Sequence, residues 1–141
     1  MTRFHLAHPA LLAGVAAALL AAGPALAEYQ GHYGTVPYVS GGVTSDEADA
    51  MRAQAQRYPL EVTMATPGEA QGYNDFVAGT TFQVRDARGR VVLDAADIGP
   101  ILLADLPPGD YTLQANYEGS TQTRHVHVGR DGHAKVTFLW R

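Results

Sequence analysis

The 141-residue chain has no cysteine. Disulfide bonds and lipid-modified cysteines are therefore excluded, and a domain of this size must rely on its core. Lysine occurs once, at Lys135. No apolar run is long enough to cross a bilayer. The longest, Ala10 to Ala22, is about a dozen residues against the roughly 20 that a span needs. Positive charge is not in excess either, since 10 basic residues face 14 acidic ones. That balance argues against nucleic acid or anionic lipid as the main partner.

The first residues, MTRFHLAHPALLAGVAAALLAAGPALA, have the layout of a secretory signal peptide. Arg3 supplies a positive start, the apolar run follows, Gly23 and Pro24 break it, and Ala25-Leu26-Ala27 offers small residues two apart. Residues 1–27 are thus expected to be removed after Ala27. The remainder, Glu28 to Arg141, keeps four histidines and is long enough for one domain. Such a domain buries about two thirds of its unfolded surface. Ala- and Gly-rich usage with many arginines and one lysine points to a bacterial protein. The expected compartment is the periplasm or outside the cell, with no transmembrane segment after processing.

Residues 28–57 read as an extended arm followed by a short helix. EYQGHYGTVPYVSGG has Gly, Pro and Tyr without a period, with Tyr29, Tyr33 and Tyr38 placed to pack the arm. The helix is predicted over Ser45 to Gln56. Thr44 and Glu47 have capping-box spacing, Asp46, Glu47 and Asp49 sit in the first turn, and Arg52 and Arg57 lie towards the end. Ala48, Met51 and Ala55 give it a weakly apolar face.

From residue 58 to 141 the period changes to two. YPLEVTMA, FVAGTTFQVRD, RVVLDA, PILLADL, DYTLQANYE, QTRHVHVG and AKVTFLW read as seven strands, joined mostly by short turns, so the fold class is an all-β antiparallel sandwich. Gly89 in DARG suits a tight hairpin. The last two strands are predicted to pair through GRDGH, with Gly132 left-handed. In that register His125, His127, Lys135 and Thr137 share the polar face, and Lys135 lies opposite His127. In DLPPGDYTLQA, Pro108-Gly109 fits the centre of a type II turn. Pro107 and Pro108 must end the preceding strand, and Tyr111 reads either as a tyrosine corner, with its ring buried under the turn and its hydroxyl bonded to nearby backbone, or as one more core aromatic. Asp110 is turned outward.

The segments DARGRVVLDA, ADLPPGDYTLQANYEGSTQTRHVHV and GHAKVTFLW resemble the carboxypeptidase regulatory-like domain and the related transthyretin-like and collagen-adhesin B-type repeats. The resemblance covers Leu60 to Trp140. It implies a seven-stranded prealbumin-like sandwich, non-catalytic in most members, used as a folding, binding or spacer module. Two activities of related domains do not carry over. Ring-opening hydrolases of the transthyretin type end in Tyr-Arg-Gly-Ser, where this chain ends FLWR. Adhesin repeats join a lysine to an asparagine, but the first strand here offers no Asn to Lys135.

The residues themselves show no catalytic constellation. No histidine is followed by Glu three positions on, and Ser40, Ser45 and Ser120 lack a nucleophile-elbow context. His125 and His127 lie on one face of a strand about 7 Å apart, which is a start for zinc or copper. A third ligand is missing, and the expected Lys135 opposes a cation. The sequence therefore predicts a non-enzymatic exported binding or structural module, with no catalytic residue, no metal site and no cofactor. Its partner would be a protein, a peptide or an envelope polymer, met by edge strands, by the loop PGEAQGYND or by the aromatic arm. A small metal-binding protein using His125 and His127 is the alternative, and an enzyme of unrecognised type ranks third.

Overall fold

A computed structural model describes residues 29–69 and 74–141. The leader expected at 1–27 lies outside the described residues, as does part of the loop PGEAQGYND. In chain order the elements are β1 (Tyr29–Tyr33), β2 (Val36–Gly41), α1 (Ser45–Gln54) with a 3₁₀ turn at Ala55–Arg57, β3 (Leu60–Pro67) and β4 (Asn74–Phe76). There follow β5 (Thr80–Arg85), β6 (Val91–Ile98), β7 (Ile101–Ala104), β8 (Gly109–Tyr117), β9 (Ser120–Val128) and β10 (Ala134–Leu139). One sheet runs β1-β2-β7-β3-β10, with β4 on β3, and the other runs β6-β5-β8-β9. The described residues are mostly strand, with two sheets packed face to face and one short helix among them.

Alternation builds the interior. Leu60, Val62 and Met64 from β3, Phe82 and Val84 from β5, Leu93 from β6, Leu113 from β8 and Phe138 from β10 are all fully buried in one cluster. Phe138 packs edge-on against Phe82 across the two sheets and stacks on Trp140. Strand β7 is buried at every position because it has cover on both faces. Leu102 and Ala104 face the sandwich, while Ile101 and Leu103 face the helix. Helix α1 lays Ala48 and Met51, with Ala55 of the 3₁₀ turn, on Val39, Ile101 and Leu103. Its start is set by the expected capping box: Thr44 Oγ1 accepts from Glu47 N (3.2 Å), and Glu47 Oε2 accepts from Thr44 N (3.0 Å). The α-helix ends at Gln54 and the chain tightens into the 3₁₀ turn, so Arg57 lies beyond the helix proper.

The seven predicted strands are present, but ten strands are found among the described residues. The arm supplies two of the extra three. Strand β2 pairs with β7 along Tyr38–Gly41, and Val36 and Tyr38 join the core. The arm therefore packs on its own domain.

The predicted hairpin of the last two strands does not form. Strand β9 pairs with β8, and β10 lies in the other sheet, parallel to β3 with Val136 beside Val62. The segment Gly129–His133 is a crossing between sheets, and Gly132 does not take a left-handed conformation. Backbone bonds frame the parallel pair, from Ala134 N to Pro59 O (2.8 Å) and from Trp140 N to Ala65 O (3.0 Å). Val126 and Val136 still both point inward. Alternation assigns a side chain to the interior but does not say which sheet carries it.

Candidate functional site

The outer face of the four-stranded sheet is a polar surface built by register. Strands β8 and β9 are joined by Glu118 and Gly119, both with positive φ (49° and 80°). That is the two-residue turn matching the twist of a hairpin. Counting back from Tyr117 opposite Ser120 sets Asn116 beside Thr121, Gln114 beside Thr123, Thr112 beside His125 and Asp110 beside His127. Strand β5 extends these rows with Thr81, Gln83 and Arg85, and β6 adds Asp94 beside Gln83. Side chains bond across strands: Asn116 Nδ2 donates to Thr121 Oγ1 (2.7 Å), Thr112 Oγ1 lies 3.1 Å from His125 Nδ1, and Asp110 Oδ1 lies 2.7 Å from His127 Nδ1.

A shallow depression of about 560 Å³ opens at the end of this face, lined by Arg85, Asp86, Asp110, Thr112, His125 and His127 among others. A carboxylate only accepts, so His127 Nδ1 carries the proton of that contact. The two side chains are 71% and 77% exposed, so the pair adds little to stability. What it fixes is the orientation of the imidazole. Asp86, in the β5–β6 hairpin, accepts from Arg88 N (2.9 Å) and Arg90 N (3.0 Å). Hydrogen bonding from the Arg90 backbone, more than any other influence, holds its pKa below the ordinary carboxylate value. Gly89 takes the positive φ (79°) that this hairpin needs.

Beneath the depression lies Tyr111. Its ring is buried and its hydroxyl donates to Pro107 O at 2.5 Å. Burial, then the Asp86 charge, raises the phenol pKa. The preceding turn differs from the predicted type II. Gly109 has φ 159°, which is nearly extended, and it is already the first residue of β8, opposite Val128.

The four histidines among the described residues are not gathered in one place. His125 and His127 share the β9 face, whereas His32 is exposed on β1. His133 bridges Tyr58 O (2.8 Å) and the buried Glu61 carboxylate (2.9 Å), which also faces Lys135 Nζ at 3.9 Å. Lys135 is thus on the other sheet. The residue opposite His127 is Asp110, a carboxylate where the sequence reading put an ammonium. The β8–β9 turn carried the information that would have found it.

No protein-family model matches the chain, and no curated protein matches it. Among solved structures it is similar to S.CueP, at 16% identity and a TM-score of 0.40 over 55% of this chain and 58% of that one. It is also similar to BcpA*(D312A), the major pilin subunit of Bacillus cereus, at 16% identity and a TM-score of 0.42 over 57% of this chain and 28% of that one.

Proposed function

We propose that this protein is a non-enzymatic, exported binding or structural module of the bacterial envelope, with a prealbumin-like sandwich of the carboxypeptidase regulatory-like kind. Its contact surface is the outer face of the four-stranded sheet. One observation carries this reading: four cross-strand rows of polar side chains, from Asp94, Gln83, Gln114 and Thr123 to Asp110 and His127, stand on a sheet whose register is unbroken across β5, β8 and β9. A sheet holds such groups at fixed spacing, about 4.8 Å between strands and about 7 Å along them. It therefore presents an ordered hydrogen-bonding array to a polar polymer or protein, and little ordering entropy is lost on contact.

Cosedimentation with purified cell-wall sacculi and envelope membranes tests the face. The protein should pellet with one of these fractions, and a Gln83→Ala, Gln114→Ala, Thr121→Ala variant should be released while its urea midpoint stays unchanged. Equal pelleting of both proteins would remove this surface from the reading. Export is checked separately by the intact mass of the periplasmic fraction, which should correspond to a chain starting at Glu28.

A further inference from the structure

His125 and His127 are two residues apart on a regular strand and point to the same side. Each imidazole has its Nδ1 engaged by its partner on β8, Thr112 at 3.1 Å and Asp110 at 2.7 Å. Since Asp110 accepts from His127 Nδ1, the lone pair of the neutral ring is on Nε2, which faces solvent. The Thr112 hydroxyl can accept as well as donate, so its contact with His125 Nδ1 is compatible with the same tautomer there. An oxygen acceptor behind the far nitrogen is how metal-binding imidazoles are oriented and made more basic. The charge beside His127 is the Asp110 carboxylate, and Lys135 is on the other sheet. Asp86 and Arg85 also line the depression, where Asp86 is paired with Arg90 and Arg85 Nη1 is tied to Gly89 O at 3.0 Å.

We infer that His125 and His127 form a two-imidazole site for a divalent transition-metal ion of the zinc–copper class, with Asp110 and Thr112 as positioning residues. This rests on the outer face being the binding face. The described residues contain no group of three or more His, Cys, Asp or Glu able to hold an ion. Water therefore fills the remaining positions, and these stay open to a donor from a partner. Imidazole ligands and the general order of divalent affinities place Cu²⁺ above Zn²⁺.

The test is calorimetric titration of the purified protein with Cu²⁺ and with Zn²⁺, in the absence of any envelope material. One ion should bind per chain, Cu²⁺ more tightly. A His125→Ala, His127→Ala variant should bind more than about tenfold more weakly, and Asp110→Asn about tenfold more weakly, the range for loss of an orienting carboxylate. His32→Ala, which removes an exposed but solitary imidazole, should change nothing. Pulsed electron paramagnetic resonance of the Cu²⁺ form should show two imidazoles in the native protein and one in His125→Ala. Matching far-UV spectra and urea midpoints exclude misfolding as the cause of a loss. Retention of native affinity by the double variant, native affinity in Asp110→Asn, or fewer than two imidazoles on the Cu²⁺ would each overturn the assignment. The Gln83, Gln114, Thr121 variant separates the two readings, because it should lose envelope binding and keep the metal.

Discussion

Tyr111→Phe removes one oxygen and leaves the ring in place. The hydroxyl donates to Pro107 O at 2.5 Å, and the ring is buried in the core beside the start of β8. The expected cost is that of one hydrogen bond, about 0.5–1.5 kcal/mol. Tyr111→Ala would also empty the ring's volume, at about 3–5 kcal/mol for an aromatic. For a domain of this size 1 kcal/mol lowers the thermal midpoint by roughly 4 °C. Equilibrium urea unfolding at pH 7 should show the loss with an unchanged slope. The pH dependence gives a second check. Burial, then the charge of Asp86, raises the folded phenol pKa above its ordinary value. Its contribution is therefore complete below about pH 10 and is lost as pH rises through the higher folded value. The gap between native protein and Tyr111→Phe should close above that pH. A gap under about 0.3 kcal/mol at pH 7, or one that persists at high pH, would refute the role of the hydroxyl as the tie between Tyr111 and the Pro107 backbone.

Two further predictions concern other parts of the fold. Met51→Ala opens a cavity where α1 meets Val39, Ile101 and Leu103, and thermal unfolding should report a loss of about 2–5 kcal/mol; a loss no larger than that of an exposed substitution would mean the helix is not docked as described. Asp86→Asn tests the β5–β6 hairpin. The folded carboxyl pKa lies below its ordinary value, so its contribution is present above about pH 4 and disappears as pH falls through the lower folded value. The stabilities of the native protein and the Asn variant should converge in acid, and a difference that stays constant from neutrality to strong acid would argue against that hairpin network.

Much of the architecture was legible because period two is a strong code for a half-buried strand. Leu60, Val62 and Met64, or Tyr111, Leu113 and Ala115, go inward as their spacing demands. The capping box of Thr44 and Glu47 was readable for a similar reason, since it depends on neighbours in sequence. The arm was not. Gly31 and Pro37 interrupt any pattern in β1 and β2, and these strands form through partners far along the chain, β2 against β7. Gly31 itself lies between aromatic rings: a Cβ there would sit 2.6 Å from the ring of Tyr29 and 2.9 Å from that of Tyr38. A glycine that reads as a breaker in sequence is here the residue that lets two tyrosines approach across the hairpin, with ring centroids 5.9 Å apart.

The site depended on a different kind of information, the choice of strand partner. An alternating strand has two solutions that satisfy the same inward set, a neighbour in its own sheet or a place in the facing one. For β10 the second won, and its first residues show why. His133 reaches both Tyr58 O and Glu61, and Lys135 falls beside Glu61 in the parallel register. The buried Glu61 carboxylate needs such partners, and the predicted hairpin would have left it without them. Once β10 is removed to the other sheet, β9 ends its sheet among the described residues, with β8 as its neighbour. The charge facing His127 then changes from the ammonium of Lys135 to the carboxylate of Asp110. Pairing across a two-residue turn at Glu118-Gly119 gives that neighbour by counting alone. Which charged group faces the His-Val-His stretch is therefore decided by which strand lies beside it.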